Sequence, residues 1–180
     1  MGIAITLQQY LSDNGVTYDC VAHERTGRSI RAAEYCHVPG DSLAKAVVLR
    51  RRDGYILAVL PATRQLKLDE VGGWLKQPVG LASEEELVSL FPDCEPGAVP
   101  PIAAAYGLRS LVDESLETQP DVYFEAGDHC TLVHVSGAQF HKLMEKVPHG
   151  RFSAATKTET KKNTTSPTGL DYPYWEYDIE

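Results

Sequence analysis

Two apolar runs, residues 44–50 and 55–60, flank Arg51, Arg52, Asp53 and Gly54, and an Asp-Gly pair between such runs marks a tight β-hairpin. A hairpin of this length needs further strands beside it and helices on its faces before its apolar side chains leave water. The flanking sequence supplies both. Thr6 and Gln9 have the form of a capping box ahead of Leu7, Tyr10 and Leu11, and Asn14-Gly15 stops that helix. Residues 16–22 read as a strand. Ser29 reads as the cap of a second helix carrying Ile30, Ala32, Ala33 and Tyr35, which Pro39-Gly40 ends.

Beyond the hairpin, residues 66–75 suggest a short helix weakened by Gly72-Gly73, and residues 79–82 a brief strand. Ser83 and Glu86 form another capping box, so a helix is expected over about residues 84–91. Residues 92–101 hold four prolines and a glycine and must be irregular. Strands at residues 110–113, 122–125 and 131–135 follow, then a helix capped by Ser136 with Phe140, Leu143 and Met144 inward. Hairpin-linked strands without regular β-α-β alternation argue for an α+β single domain, with a mixed, largely antiparallel curved sheet flanked by helices.

The 180 residues fit one domain at 1–150, after which composition shifts: residues 153–168 contain nine Ser, Thr or Asn. Residues 151–180 therefore read as a flexible tail. Its end, with Tyr172, Tyr174, Trp175, Tyr177 and three acidic groups, either docks on the domain or a partner or stays in solvent. Seventeen basic against 25 acidic residues leave a net charge of −8, which argues against a general DNA binder. No apolar run is long enough for a membrane span, and the N-terminus lacks a secretory pattern, so a cytoplasmic protein is expected. Cys20, Cys36, Cys94 and Cys130 form no C-x-x-C pair and read as reduced thiols.

Lys45 shares a strand face with Val47 and Leu49, which ought to face the core. Either its stem covers apolar surface while its ammonium reaches water, or it is a fixed cation at a cleft mouth, ready for a phosphate or an oxyanion. From Asp41 to Lys67 there are six basic residues and two acidic ones, so one edge is basic although the chain is acidic. That edge is a solvated hairpin turn or a contact for a few phosphates. In residues 95–101, prolines fix φ and lack amide hydrogens while Gly97 opens backbone conformations closed to other residues. The segment is a plain connector or a stiff, backbone-lined wall for a small polar ligand. His129 follows Gly127-Asp128 at a turn after a strand, where it is a solvated histidine or a binding group. Zinc-protease, nucleophilic-serine, P-loop and dinucleotide motifs are absent from the sequence, which removes support from those enzyme classes.

Three separated segments together resemble the YbaK/prolyl-tRNA synthetase editing-domain family of aminoacyl-tRNA deacylases, over roughly residues 5–147. They are DSLAKAVVL, with Lys45 at the family's functional lysine; CEPGAVPP, with Gly97 and Pro101 in its G-x-x-x-P loop; and YFEAGDHCTLVHV, with His129 at its histidine. The resemblance implies trans-editing: hydrolysis of the ester of mischarged aminoacyl-tRNA, commonly tRNA for proline carrying a wrong small amino acid. It implies Lys45, Gly97 and Pro101 as the catalytic set, and Ala98, Val99, Pro100, Gly127, Asp128, His129 and Ser29 as substrate-binding residues. It implies no cofactor and no metal. The implied partners are the tRNA acceptor end with its amino acid, and prolyl-tRNA synthetase. The alternative is a catalytically inactive module of the same fold that binds a ligand or a tRNA end and regulates.

Overall fold

The computed structural model describes residues 2–156. The expected hairpin forms its centre. Strands β2 (Leu43–Arg51) and β3 (Gly54–Pro61) pair antiparallel from Ala44↔Pro61 to Arg51↔Gly54, which leaves Arg52 and Asp53 as a two-residue turn. Before it come α1 (Ile5–Asp13), β1 (Asp19–Ala22) and α2 (Ser29–Tyr35). After it come β4 (Arg64–Leu66), α3 (Leu68–Leu75), β5 (Gly80–Leu81) and α4 (Glu84–Leu90), then β6 (Arg109–Asp113), β7 (Asp121–Glu125), β8 (Thr131–Ser136) and α5 (Gly137–Met144). Two short strands close the described chain, β9 (His149–Gly150) and β10 (Ser153–Ala155).

The main sheet runs β1-β8-β7-β2-β3-β6-β9, with β5 also on β2. Its β1–β8, β7–β8, β2–β3 and β2–β5 ladders are antiparallel, and its β2–β7, β3–β6 and β6–β9 ladders are parallel. This is the mixed, mostly antiparallel α+β architecture expected. Alternation along β2 and β3 divides the core between the two faces. Val48 and Leu57 pack with Leu87, Phe91 and Val99 on one side, while Val47, Leu49, Ala58 and Leu60 pack with Val71 and Phe152 on the other. No helix among the described residues is long and apolar enough to cross a membrane.

Several local expectations change. Thr6 is inside α1, whose N-cap is Ala4 without a side-chain cap bond; the Thr6 amide donates instead to Asp93 Oδ2 at 2.8 Å. Likewise Ser29 is the first residue of α2 rather than its cap, because Arg28 occupies the extended cap position. That helix stops at Tyr35, before Pro39, and His37 takes a left-handed φ of 54°. The first strand is shortened to Asp19–Ala22, the stretch that finds partners on β8. The Ser83–Glu86 capping box and the Ser136 cap form as expected.

The ordered domain also continues past residue 150. Phe152 is buried against Trp74, and β10 pairs antiparallel with β4. Residues 151–156, read as the start of a tail, thus hold a buried phenylalanine and a short strand; the aromatic cluster from Tyr172 onward lies outside the described residues.

Candidate active site

Parallel pairing of β2 with β7 joins Leu43 to Tyr123 and Ala44 to Phe124, and β2 next pairs with β5 through Leu49 and Arg50. Between these ladders lies the stretch from Lys45 to Val48. The carboxyl end of β7 thus adjoins a split in the sheet, the kind of position where open sheets with parallel strands bind ligands. Lys45 is half-buried and follows Ala44 directly, and Glu125 follows Phe124 directly, so each stands one residue past the last pair of the β2–β7 ladder.

Past Glu125 the chain turns through Ala126, Gly127, Asp128 and His129. Gly127 has a φ of 120°, and a Cβ there would lie 3.0 Å from the Ala4 Cβ and 3.2 Å from the Cys94 Sγ. Close approach as well as backbone angle therefore requires glycine. Asp128 is buried, 3% exposed, and spends its carboxylate inside the turn: Oδ1 accepts from the Cys130 amide and Oδ2 from the Thr131 hydroxyl, each at 3.0 Å. Asp128 thus holds the turn in shape.

The proline-rich loop is fastened to this turn. The Glu95 amide donates to the Gly127 carbonyl at 2.8 Å, and His129 Nε2 lies 2.7 Å from the Pro96 carbonyl oxygen. A carbonyl only accepts, so Nε2 carries the proton. The other ring nitrogen, Nδ1, is buried and has no hydrogen-bond partner among the described residues. The His129 ring also lies against Gly97, whose φ is 84°, with Cε1 3.5 Å from where a Cβ would stand. His129 itself adopts a φ of 57°, unusual for a residue with a side chain. Arg25 clamps the same rim by pairing with Glu95, which holds the Glu95 carboxyl below its ordinary range. The Thr26 amide donates to the His129 carbonyl at 3.1 Å, so the segment leading to Ser29 borders the turn as well.

Within the loop the roles divide. Gly97 is exposed, whereas Ala98, Val99, Pro100 and Pro101 are buried, Val99 in the core beside Val48 and Leu57. Ala98 to Pro101 anchor the loop through their side chains and offer a ligand only backbone. The Ala98 amide already donates to the Glu95 carbonyl at 3.0 Å, and prolines have no amide hydrogen, which makes Gly97 and Val99 the loop's remaining amide donors between residues 97 and 101. Ser29 is half-buried at the start of α2.

Glu125 is the residue that reading the sequence passed over. It is 6% exposed, its Oε2 has no partner among the described residues, and burial, with the Asp128 charge added, pushes its carboxyl up to about 8. Its charge also reaches α2, where burial first and Glu125 second raise the Cys36 thiol. The signal was the one used for Lys45: a charged side chain at an inward position of a short strand. Cys94, behind the loop, is pushed by burial to about 11 and is a poor nucleophile near neutrality. Among the described residues, no group of three or more His, Cys, Asp or Glu side chains comes together as a metal cage.

The aminoacyl-tRNA editing domain family matches residues 23–143, which takes in Lys45, the loop and the His129 turn. A proline–tRNA ligase from Thermosipho africanus is 31% identical over 62 residues; the match covers 34% of this chain and 11% of the ligase, so the chain spans a small part of that relative. A solved structure of a candidate trans-editing enzyme for prolyl-tRNA synthetase superposes with a TM-score of 0.74 at 21% identity, over 84% of this chain and 97% of that one. A candidate signal-transduction protein from Marinobacter aquaeolei VT8 superposes with a TM-score of 0.67 at 17% identity, over 83% of this chain and 30% of that one. At these identities the two structures establish the fold.

Proposed function

The chain belongs to the aminoacyl-tRNA editing domain family, and from that premise we propose that it is a trans-editing hydrolase. It cleaves the ester of mischarged aminoacyl-tRNA, with tRNA for proline carrying a wrong small amino acid as the substrate. The observation that supports this reading is the fastening of the Gly97 loop to the His129 turn just past the carboxyl end of β7.

Ester hydrolysis needs an oriented water and donors for the tetrahedral oxyanion more than it needs a protein nucleophile. Water adds to the ester carbonyl, the carbonyl oxygen takes the negative charge, and the ribose oxygen leaves with a proton. The Gly97 and Val99 amides suit the oxyanion or the substrate's carbonyl, because a loop held by Pro100 and Pro101 loses little entropy when it binds. Lys45 supplies the fixed cation for the terminal adenosine's phosphate or ribose. His129, with Nε2 committed to Pro96, shapes the amino-acid pocket through its ring and its Nδ1. Proton movement at the attacking water falls to the substrate's own ribose hydroxyl. A neutral Glu125 suits a site that takes a phosphate, since a buried carboxylate one residue past the same ladder pair as Lys45 would oppose it. Contact limited to the acceptor end agrees with an acidic chain, and prolyl-tRNA synthetase is the partner that would present the tRNA.

The test is a deacylation panel of alanine, cysteine and serine on tRNA for proline, with Lys45→Ala alongside. Release of at least one of them by the native chain, with the variant folded and at least about a hundredfold slower, is the expected outcome. No turnover of any member would leave the regulatory binding module as the reading.

A further inference from the structure

A cavity lies at the opposite end of β2 from Lys45, about 20 Å along the strand at roughly 3.3 Å per residue. Its volume is about 660 Å³, within the range typical of small-molecule sites. Arg51, Arg109, Lys142 and Lys146 line it, with Glu145 as the one carboxylate and Leu111 on its apolar side. These residues come from the hairpin end, the start of β6 and the end of α5, so the cations converge from three separate elements.

Arg51 sets this cavity apart from a chance cluster of surface cations. Nine-tenths of its side chain is buried, its Nη1 lies 3.4 Å from the Asp53 carboxylate, and its Nε is buried with no hydrogen-bond partner among the described residues. A buried guanidinium N–H without an acceptor is costly, and a native structure that keeps one has a reason for it. We propose that this cavity is a binding site for a phosphate-bearing ligand of nucleotide size, with Arg51 as its buried anchor and Arg109, Lys142 and Lys146 around the phosphate. A guanidinium edge matches the geometry of phosphate oxygens, and the apolar side suits the body of a nucleotide. The phosphate belongs either to a free nucleotide or to tRNA. The site is separate from Lys45 and stands whether or not the chain hydrolyses aminoacyl esters.

Isothermal titration of the full chain with ADP, inorganic phosphate and adenosine tests this, with Arg51→Gln, Arg109→Gln and, as a control, Arg31→Gln, an exposed cation on α2 that does not line the cavity. ADP is expected to bind saturably and adenosine not at all. Arg51→Gln and Arg109→Gln should each lose about tenfold or more in ADP affinity while Arg31→Gln keeps it. Arg109 is exposed, so its variant remains informative if Arg51→Gln fails to fold. Displacement of ADP by uncharged tRNA would assign the phosphate to tRNA, and lack of displacement to a free nucleotide. No binding of ADP, equal binding of adenosine, or unchanged affinity in Arg109→Gln would overturn the proposal.

Discussion

Glu125 and Gly97 show how single residues set the conditions for chemistry at the split. The ordinary Glu value is 4.5, and burial raises Glu125 to about 8 in the folded chain. Between those values the folded state holds one proton more than the unfolded state, so this residue's contribution to stability falls as pH rises through that window and levels off above it. Glu125→Gln keeps the shape and removes the titration. Relative to the native chain, the variant should gain on the order of 1–3 kcal/mol between about pH 5 and about pH 8.5, read from melting curves at both. An unchanged difference would mean that the carboxyl ionises freely. Gly97 works through backbone angle: a Cβ there finds ordinary contact with His129, so the obstacle to a larger residue is its φ of 84°. Gly97→Val should therefore lower the deacylation rate by tenfold or more, at roughly 1–3 kcal/mol of local strain, while the melting temperature moves far less than for a core truncation. Lys45 and Gly97 were legible in the sequence because a charge in an apolar strand and a glycine among prolines are local anomalies. Glu125 carries the same kind of anomaly, but its burial follows from long-range pairing of β7, with β8 through Leu132 and with β2, 80 positions earlier, through Ala44↔Phe124.

Helix starts separate what local sequence encodes from what tertiary structure supplies. At α4, the Ser83 amide donates to Glu86 Oε2 at 2.7 Å and the Ser83 hydroxyl accepts from the Glu86 amide at 3.3 Å, as the motif requires. At α1 the same kind of motif is present in sequence and unused. Gln9 donates to Asp13 on the exposed face, and Asp93, from just before the proline-rich loop, accepts from the helix's first turn. A local reading could not find that carboxylate, because it lies 87 positions away. Its location ties α1 to the loop that carries Gly97. Asp93→Ala should cost about 1 kcal/mol, as other lost helix caps do, whereas Gln9→Ala should stay within about 0.5 kcal/mol. Chemical denaturation of both variants checks this. Equal losses would return the cap to the local motif.

At the scale of the molecule, the face of the sheet that bears Lys45 is closed by residues the composition shift assigned to a tail. Lys45 pairs with Leu60 on β3, and Leu60 belongs to the cluster that Phe152 completes. Ser and Thr after residue 152 mask this connection, because a three-residue strand carries too little apolar pattern to stand out from a polar stretch. The structure ties it down nonetheless. Phe152 stacks on Trp74, its amide donates to Asp113 Oδ2 at 3.2 Å, and its carbonyl accepts from the Lys67 amide at 2.8 Å. Arg64 adds bonds from its Nε to the Ser153 hydroxyl at 2.7 Å and from its Nη2 to the Ser153 carbonyl at 3.0 Å. A chain ending at Gly150 loses all of these at once and opens the core beneath Leu60. Since truncating one buried Phe to Ala costs about 3–5 kcal/mol, that chain should melt well below the native one or fail to fold. A chain ending at Thr156 retains every one of these contacts and should melt within a few degrees of the native protein. Equal melting temperatures for the two shortened chains would show that Phe152 and β10 lie on the domain without holding it together, and the expected boundary at residue 150 would then stand.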